Sequence, residues 1–254
     1  MRLWTKIAAS LVALYFGLAG PWPVSAAEIA LVTTNAVEHI LRDLVPAFER
    51  SSGNTVRMSV YGTGLAVAKV KDGSEMPDLV LLSPTALGDL AKAGKVTAGT
   101  ITDAFRSRVG LAVRAGAPKP DISTAEAFKA TLLNAKTIGH SIGPSGEYFS
   151  TELIQRLGIA DALKPKITVV RGRPVAAAVA AGEVEIGIHQ IAELMQVGGI
   201  DIVGPLPADL QTTIIYATGL VTAAKQPEAA KALVKFLSTE AAVPAIRKNG
   251  MDPA

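Results

Sequence analysis

The residues whose types and spacing suit chemistry gather at five strand-to-helix junctions. These are "VTTNAV" (32–37), "YGTGL" (61–65), "LSPT" (82–85), "GPSGE" (143–147) and "VRGRPV" (170–175). Together they hold Thr33, Thr34, Asn35, Gly62, Thr63, Ser83, Ser145, Gly146 and Gly172. A turn with little side-chain bulk that feeds a helix leaves backbone N–H groups facing open space, which suits an anion. One such turn also reads as a plain chain reversal. Several of them at the carboxyl ends of strands point to a ligand site. Arg171 and Arg173 flank Gly172 and read either as a solvated pair or as a clamp on carboxylates, whose shape guanidinium matches.

The acid–base candidates are few. His39 falls mid-helix on the polar side of an apolar stripe and is expected in solvent. His140 lies in a strand and reads as a packing residue. His189 ends a strand beside Gln190 and is the histidine with a claim on the site. Glu147 sits at the mouth of the "GPSGEY" turn, where it either complements its own helix dipole and points away or handles a proton. No pair of the three histidines has metal-ligand spacing, so no metal is expected. The chain has no cysteine, which excludes thiol catalysis, thiolate metal sites and disulfides. There is no G-x-G-x-x-G and no G-x-S-x-G, and "GDLAKAGK" (88–95) misses the P-loop spacing, so no nucleotide cofactor is expected.

Alternating elements must position these turns. "EIALVT" reads as a strand, and Val37, Ile40, Leu41, Leu44, Val45 and Phe48 follow at helical spacing. "TVRMSVY", "PDLVLLS", "SRVGLAVRA", "TIGHSI", "KITVV", "VEIGI", "IDIVG" and "TTIIYATGLVTA" read as further strands, with helices between most of them. Ser123 and Glu126 have capping-box spacing for the helix that follows. Pro174 stands where a first helical residue belongs, and Gly158 and Gly182 where helices stop. The alternation predicts an α/β fold with largely parallel sheets. The stretches around 105–116 and 204–216 are the places for the chain to cross between two lobes.

The first 27 residues read as a secretory signal peptide: Arg2 and Lys6, the apolar run "IAASLVALYFGL", then small residues offering cleavage near Ala26–Glu28. Removing 27 of 254 residues leaves 227, enough for a large core or two smaller ones. Taking Arg2 and Lys6 from the 25 basic residues leaves 23 against 22 acidic ones. With that balance and no basic run, nucleic acid is not an expected partner.

Three stretches, "SIGPSGEYFSTELIQRLGI..DALKPKITVV", "VAAGEVEIGI" and "AAKALVKFLSTEAAVPAIRKNGM", resemble the periplasmic molybdate-binding proteins of ABC importers. The resemblance implies a two-lobed type II periplasmic-binding-protein fold with lobe I at 28–108 plus 215–254 and lobe II at 109–214. It implies a periplasmic, monomeric receptor that hands a small anion to a membrane permease. The family holds its oxyanion with two serines, two backbone N–H groups and a tyrosine. By position these fall on Ala36, with Thr33, Thr34 and Asn35 beside it, on Thr63, on Ser145 and Gly172, and on Gln190. Loss of a serine and the tyrosine, with an amide and guanidinium groups nearby, predicts an organic carboxylate rather than molybdate. A few proteins resembling this family are isomerases of aconitate. That alternative gives Glu147 or His189 the role of base and Arg171 and Arg173 that of clamp.

Overall fold

The computed structural model describes residues 26–254. The expected signal peptide falls almost wholly on 1–25 and lies outside the described residues. The chain opens with β1 (Glu28–Thr34), α1 (Asn35–Ser52), β2 (Thr55–Tyr61), α2 (Thr63–Asp72), β3 (Leu79–Leu82) and α3 (Pro84–Lys92). The long β4 (Thr102–Arg114) follows, then α4 (Ala125–Asn134), β5 (Ile138–His140), α5 (Pro144–Glu147), α6 (Ile154–Arg156), α7 (Ala160–Leu163), β6 (Ile167–Val169) and α8 (Val175–Ala180). It closes with β7 (Ile186–Gln190), α9 (Ile191–Leu194), β8 (Ile200–Pro205), β9 (Thr213–Leu220), α10 (Pro227–Leu237), α11 (Val243–Lys248) and β10 (Met251–Pro253). The elements form an α/β fold around a mixed sheet.

The strand order is β2-β1-β3-β9-β4-β7-β5-β6. At each end the pairing is parallel, as the alternation predicts: β1 with β2 and β3, and β5 with β6 and β7. The centre departs from that expectation. Strands β9 and β4 run antiparallel to their neighbours. The reason is that β4 serves both halves. Thr102–Arg108 pairs with β9, and Val109–Val113 pairs with β7. Strand β8 returns along the second half of β4 before the chain comes back in β9. The partner of β4 therefore changes between Arg108 and Val109, where the two halves of the sheet meet.

The apolar stripe of α1 packs as its spacing dictates. Val37, Ile40, Leu41, Leu44 and Phe48 are buried, each contributing roughly 1.5–3 kcal/mol relative to exposure. The helix stops at Gly53, whose φ of 73° supplies the left-handed cap. Two helix starts differ by one residue from expectation. The cap of α4 is Thr124, whose hydroxyl accepts from Ala127 N at 3.1 Å. Ser123 lies one residue before the cap, and its N–H donates to Asp121 Oδ1 at 2.9 Å. Pro174 is extended, with ψ 141°, and α8 begins one residue later.

The segment after β5 departs further. "GPSGEY" is not a turn feeding a helix; Pro144–Glu147 already is helix, and a π-helical turn at Tyr148–Leu153 continues it. The reversal itself is Ser141–Gly143, where Gly143 N donates to Ser141 Oγ at 3.2 Å. Gly146 is required by packing: a Cβ there would lie 1.8 Å from Ser141 O and 2.8 Å from His140 Nδ1. Gly110 does the same for α9, since a Cβ on it would meet Ile191 Cγ1 at 2.6 Å. That close approach sets α9 against β4 and fixes the site described next.

Candidate functional site

The strand-end turns of the two lobes face a cleft with two connected compartments. The first, about 550 Å³, is lined from lobe I by Thr34, Asn35, Ala36, Gly62–Leu65, Ser83 and Tyr216, and from lobe II by Ser141–Pro144, Glu147, His189, Gln190 and Glu193. The second, about 500 Å³, adds His39, Gly172 and Arg173 and shares Asn35, Ser141, Ile142, His189 and Glu193 with the first. A larger hollow of about 900 Å³, lined by Arg108, Lys119 and the 203–208 stretch, lies at the crossing segments. It contains none of the strand-end turns.

The expected site residues divide by placement. Thr34, Asn35, Gly62, Thr63, Ser83, Glu147, His189 and Gln190 line the first compartment, and Gly172 and Arg173 the second. Thr63 Oγ1 reaches Thr34 Oγ1 at 3.4 Å, so two hydroxyls meet on the lobe I wall. Ser83 Oγ accepts from Ala86 N at 3.3 Å and caps α3. Four expected residues do not line the cleft. Thr33 is fully buried and donates to Leu81 O at 3.1 Å. Ser145 and Gly146 are buried inside the helical segment, and Ser145 Oγ has no partner. Arg171 is exposed and outside both linings. Arg173 is engaged by Glu183, with Nη1 donating to Oε1 at 2.9 Å and Nη2 to Oε2. The guanidinium thus faces an exposed carboxylate of its own chain. Gly172 has a φ of 70°, a conformation that suits glycine.

The histidines also sort themselves. His39 is half-buried rather than solvated, its Nε2 has no partner, and burial lowers its pKa. His140 is buried, with Nδ1 2.7 Å from Ser141 O and Nε2 without a partner. His189 is buried in the cleft wall, and loss of water there pushes its pKa down to about 4, with nearby His140 adding to the effect.

The residue that sequence reasoning missed is Glu193. It sits on α9, lines both compartments, and burial pushes its carboxyl up to about 7. Gln190 Nε2 donates to Glu193 Oε1 at 2.6 Å, and Tyr216 Oη donates to Gln190 Oε1 at 3.1 Å. His189 Nδ1 lies 3.7 Å from the same Glu193 oxygen. Between about pH 4 and 7 both groups of that contact are mostly neutral, so it is not an ion pair. The cleft floor is therefore a chain of polar groups that crosses from lobe I to lobe II, with a protonatable carboxyl at its end. The spacing Gln190–Glu193 across the start of a short helix was the available signal. Among the described residues no three His, Asp or Glu converge as a metal site.

The fold and cleft agree with what comparison shows: residues 29–252 match the family of bacterial extracellular solute-binding proteins, and the chain belongs to that family. Among curated relatives, it is 34% identical over 229 residues to a Pseudomonas protein named aconitate isomerase, covering 89% of this chain and 87% of the relative. It is 26% identical over 238 residues to the molybdate-binding protein ModA of Azotobacter vinelandii, covering 89% and 90%. Among solved structures, the substrate-binding domain of a molybdenum ABC transporter from Clostridium difficile superposes with a TM-score of 0.75 at 18% identity, covering 90% of this chain and 100% of that one. The periplasmic molybdate-binding protein of Azotobacter vinelandii does so with a TM-score of 0.69 at 18% identity, covering 88% and 98%. At those identities the structural likeness concerns the fold. No helix among the described residues is long and apolar enough to cross a membrane.

Proposed function

We propose that this solute-binding protein takes a small organic polycarboxylate in the interlobe cleft, in the periplasm, after loss of its signal peptide near Ala26–Glu28. The observation that carries this reading is Gln190. It is buried where the resemblance to molybdate-binding proteins puts a tyrosine, and Tyr216 fixes its amide toward Glu193. A floor of amide and protonatable carboxyl suits a ligand with several separated oxygens better than one compact tetrahedral oxyanion. The Thr34 and Thr63 hydroxyls supply further donors from lobe I. A thermal-shift series tests it, because a ligand that binds only the folded state raises apparent stability by mass action. Di- and tricarboxylates are expected to shift the transition; a shift with molybdate or tungstate alone would contradict the reading. As a receptor, the protein would close on its ligand by hinge motion about β4 and pass it to an ABC permease.

A second reading, isomerisation of a tricarboxylate, is favoured by the relative named aconitate isomerase and by the His189–Glu193 contact. Neutral His189 would take a proton from a methylene beside a carboxylate. The double bond then shifts by one carbon, and the Glu193 carboxyl returns a proton to the far carbon. Transfer of the proton from His189 Nδ1 to the Glu193 carboxylate, 3.7 Å away, resets the pair. Proton NMR of trans-aconitate incubated with the protein decides the matter. Appearance of the cis isomer supports turnover, and saturable binding without it leaves a receptor.

A further inference from the structure

We propose that Glu193 is protonated in the ligand complex and donates that proton to a ligand oxygen, so that at alkaline pH, where the free protein has lost it, binding takes up a proton from solution. This rests on the reading of the cleft as a polycarboxylate site. A carboxyl on the wall of an anion cleft must be neutral or paired when the anion arrives, because two like charges there repel with little water between them. Glu193 has no Lys or Arg partner: among the described residues the basic group within 4 Å of it is His189, at 3.7 Å. His189 on β7 is held neutral by burial, with His140 on β5 opposing its protonation. Tyr216, facing from β9, is itself held protonated by burial and by Glu193. Across the second compartment, His39 on α1 is kept neutral by burial and Arg173 before α8 is tied to Glu183. Glu147 on α5, on the wall of the first compartment, is a second acid and adds no positive charge.

The surrounding hydrogen bonds leave that proton free for the ligand. Gln190 Nε2 donates to Glu193 Oε1 and Tyr216 Oη donates to Gln190 Oε1, so neither of these bonds uses the carboxyl proton. A proton on the other oxygen of Glu193, whose side chain remains one-third exposed, has the cleft as its outlet. A carboxyl pushed up to about 7 is half protonated there and loses its proton above it, so the uptake on binding grows as pH rises past 7.

The test is isothermal titration of the mature chain with trans-aconitate, whose carboxyls are ionised above about pH 7. Titrations at pH 8 in two buffers of different ionisation heat count the protons taken up. Wild type is expected to take up close to one proton per ligand, and its affinity to fall about tenfold per pH unit above pH 7. Glu193→Gln, which keeps a donor without a titrating group, is expected to take up none and to bind with little pH dependence. His189→Gln is expected to retain the uptake. Wild-type binding without proton uptake, or uptake that survives in Glu193→Gln and vanishes in His189→Gln, would overturn the proposal while leaving the carboxylate site standing. No heat of binding in any variant would instead overturn the polycarboxylate reading and this proposal with it.

Discussion

Tyr216 Oη donates to Gln190 Oε1 at 3.1 Å, and the two residues belong to different lobes. Tyr216 lies on β9 opposite Phe105, Gln190 on β7 opposite Val109, and β4 runs between them. The bond therefore spans the strand on which the lobes are joined, and it orients the amide that faces Glu193. Replacing Tyr216 by Phe leaves a buried amide oxygen without its donor, at a cost of about 1–3 kcal/mol. Urea denaturation of Tyr216→Phe should show that loss. Carboxylate binding should weaken in parallel, since the amide is free to flip.

The raised carboxyl of Glu193 has a signature in stability. A group whose folded pKa lies above its unfolded value favours the native state fully below the unfolded pKa, and that contribution is lost as pH rises through the folded one. For Glu193 the window runs from 4.5 to about 7. His189, lowered from 6.5 to about 4, acts in the opposite sense and loses stability as pH falls through that range. The two oppose each other in the wild type, so the single variants reveal them. Glu193→Gln should gain on wild type by about 1–2 kcal/mol between pH 5 and pH 8, allowing for the solvent that reaches the cleft. Denaturant unfolding at both pH values measures it; an unchanged difference would place Glu193 in ordinary solvent.

Gly146 gives a third outcome. An alanine Cβ there would stand 1.8 Å from Ser141 O and 2.8 Å from His140 Nδ1, both on the wall behind the cleft. The Ser141–Gly143 reversal must move to admit it. Gly146→Ala should lower stability by roughly 3 kcal/mol or more, the range of severe overpacking. Gly143→Ala, where a Cβ meets Ser141 Oγ at an ordinary 3.6 Å, should cost far less. Thermal melts of the two variants side by side make the comparison.

The sequence is legible where a local period decides the structure. The α1 stripe packs as its spacing dictates, and the strand-end turns at Thr34, Gly62 and Ser83 do meet at one cleft. It is less legible where tertiary contacts decide. The start of β4 at Thr102 hides behind Asp103 and Arg106, whose polarity breaks the apolar pattern. The helicity of "GPSGEY" brings Gly146 against the Ser141 backbone and the His140 ring, which no local propensity records. Glu193 takes its place in the cleft wall only because Gly110 lets α9 close onto β4. Arg173 shows the converse: its type suits a carboxylate clamp, and the fold hands it Glu183.

The central claim is that the cleft holds an organic polycarboxylate and not a bare oxyanion. Competition calorimetry tests it most directly: the mature chain is titrated with trans-aconitate, then again in the presence of excess molybdate. The account predicts one saturable site for trans-aconitate whose affinity is unchanged by molybdate. Tight molybdate binding that displaces trans-aconitate, or that occurs where trans-aconitate gives no heat, would contradict it.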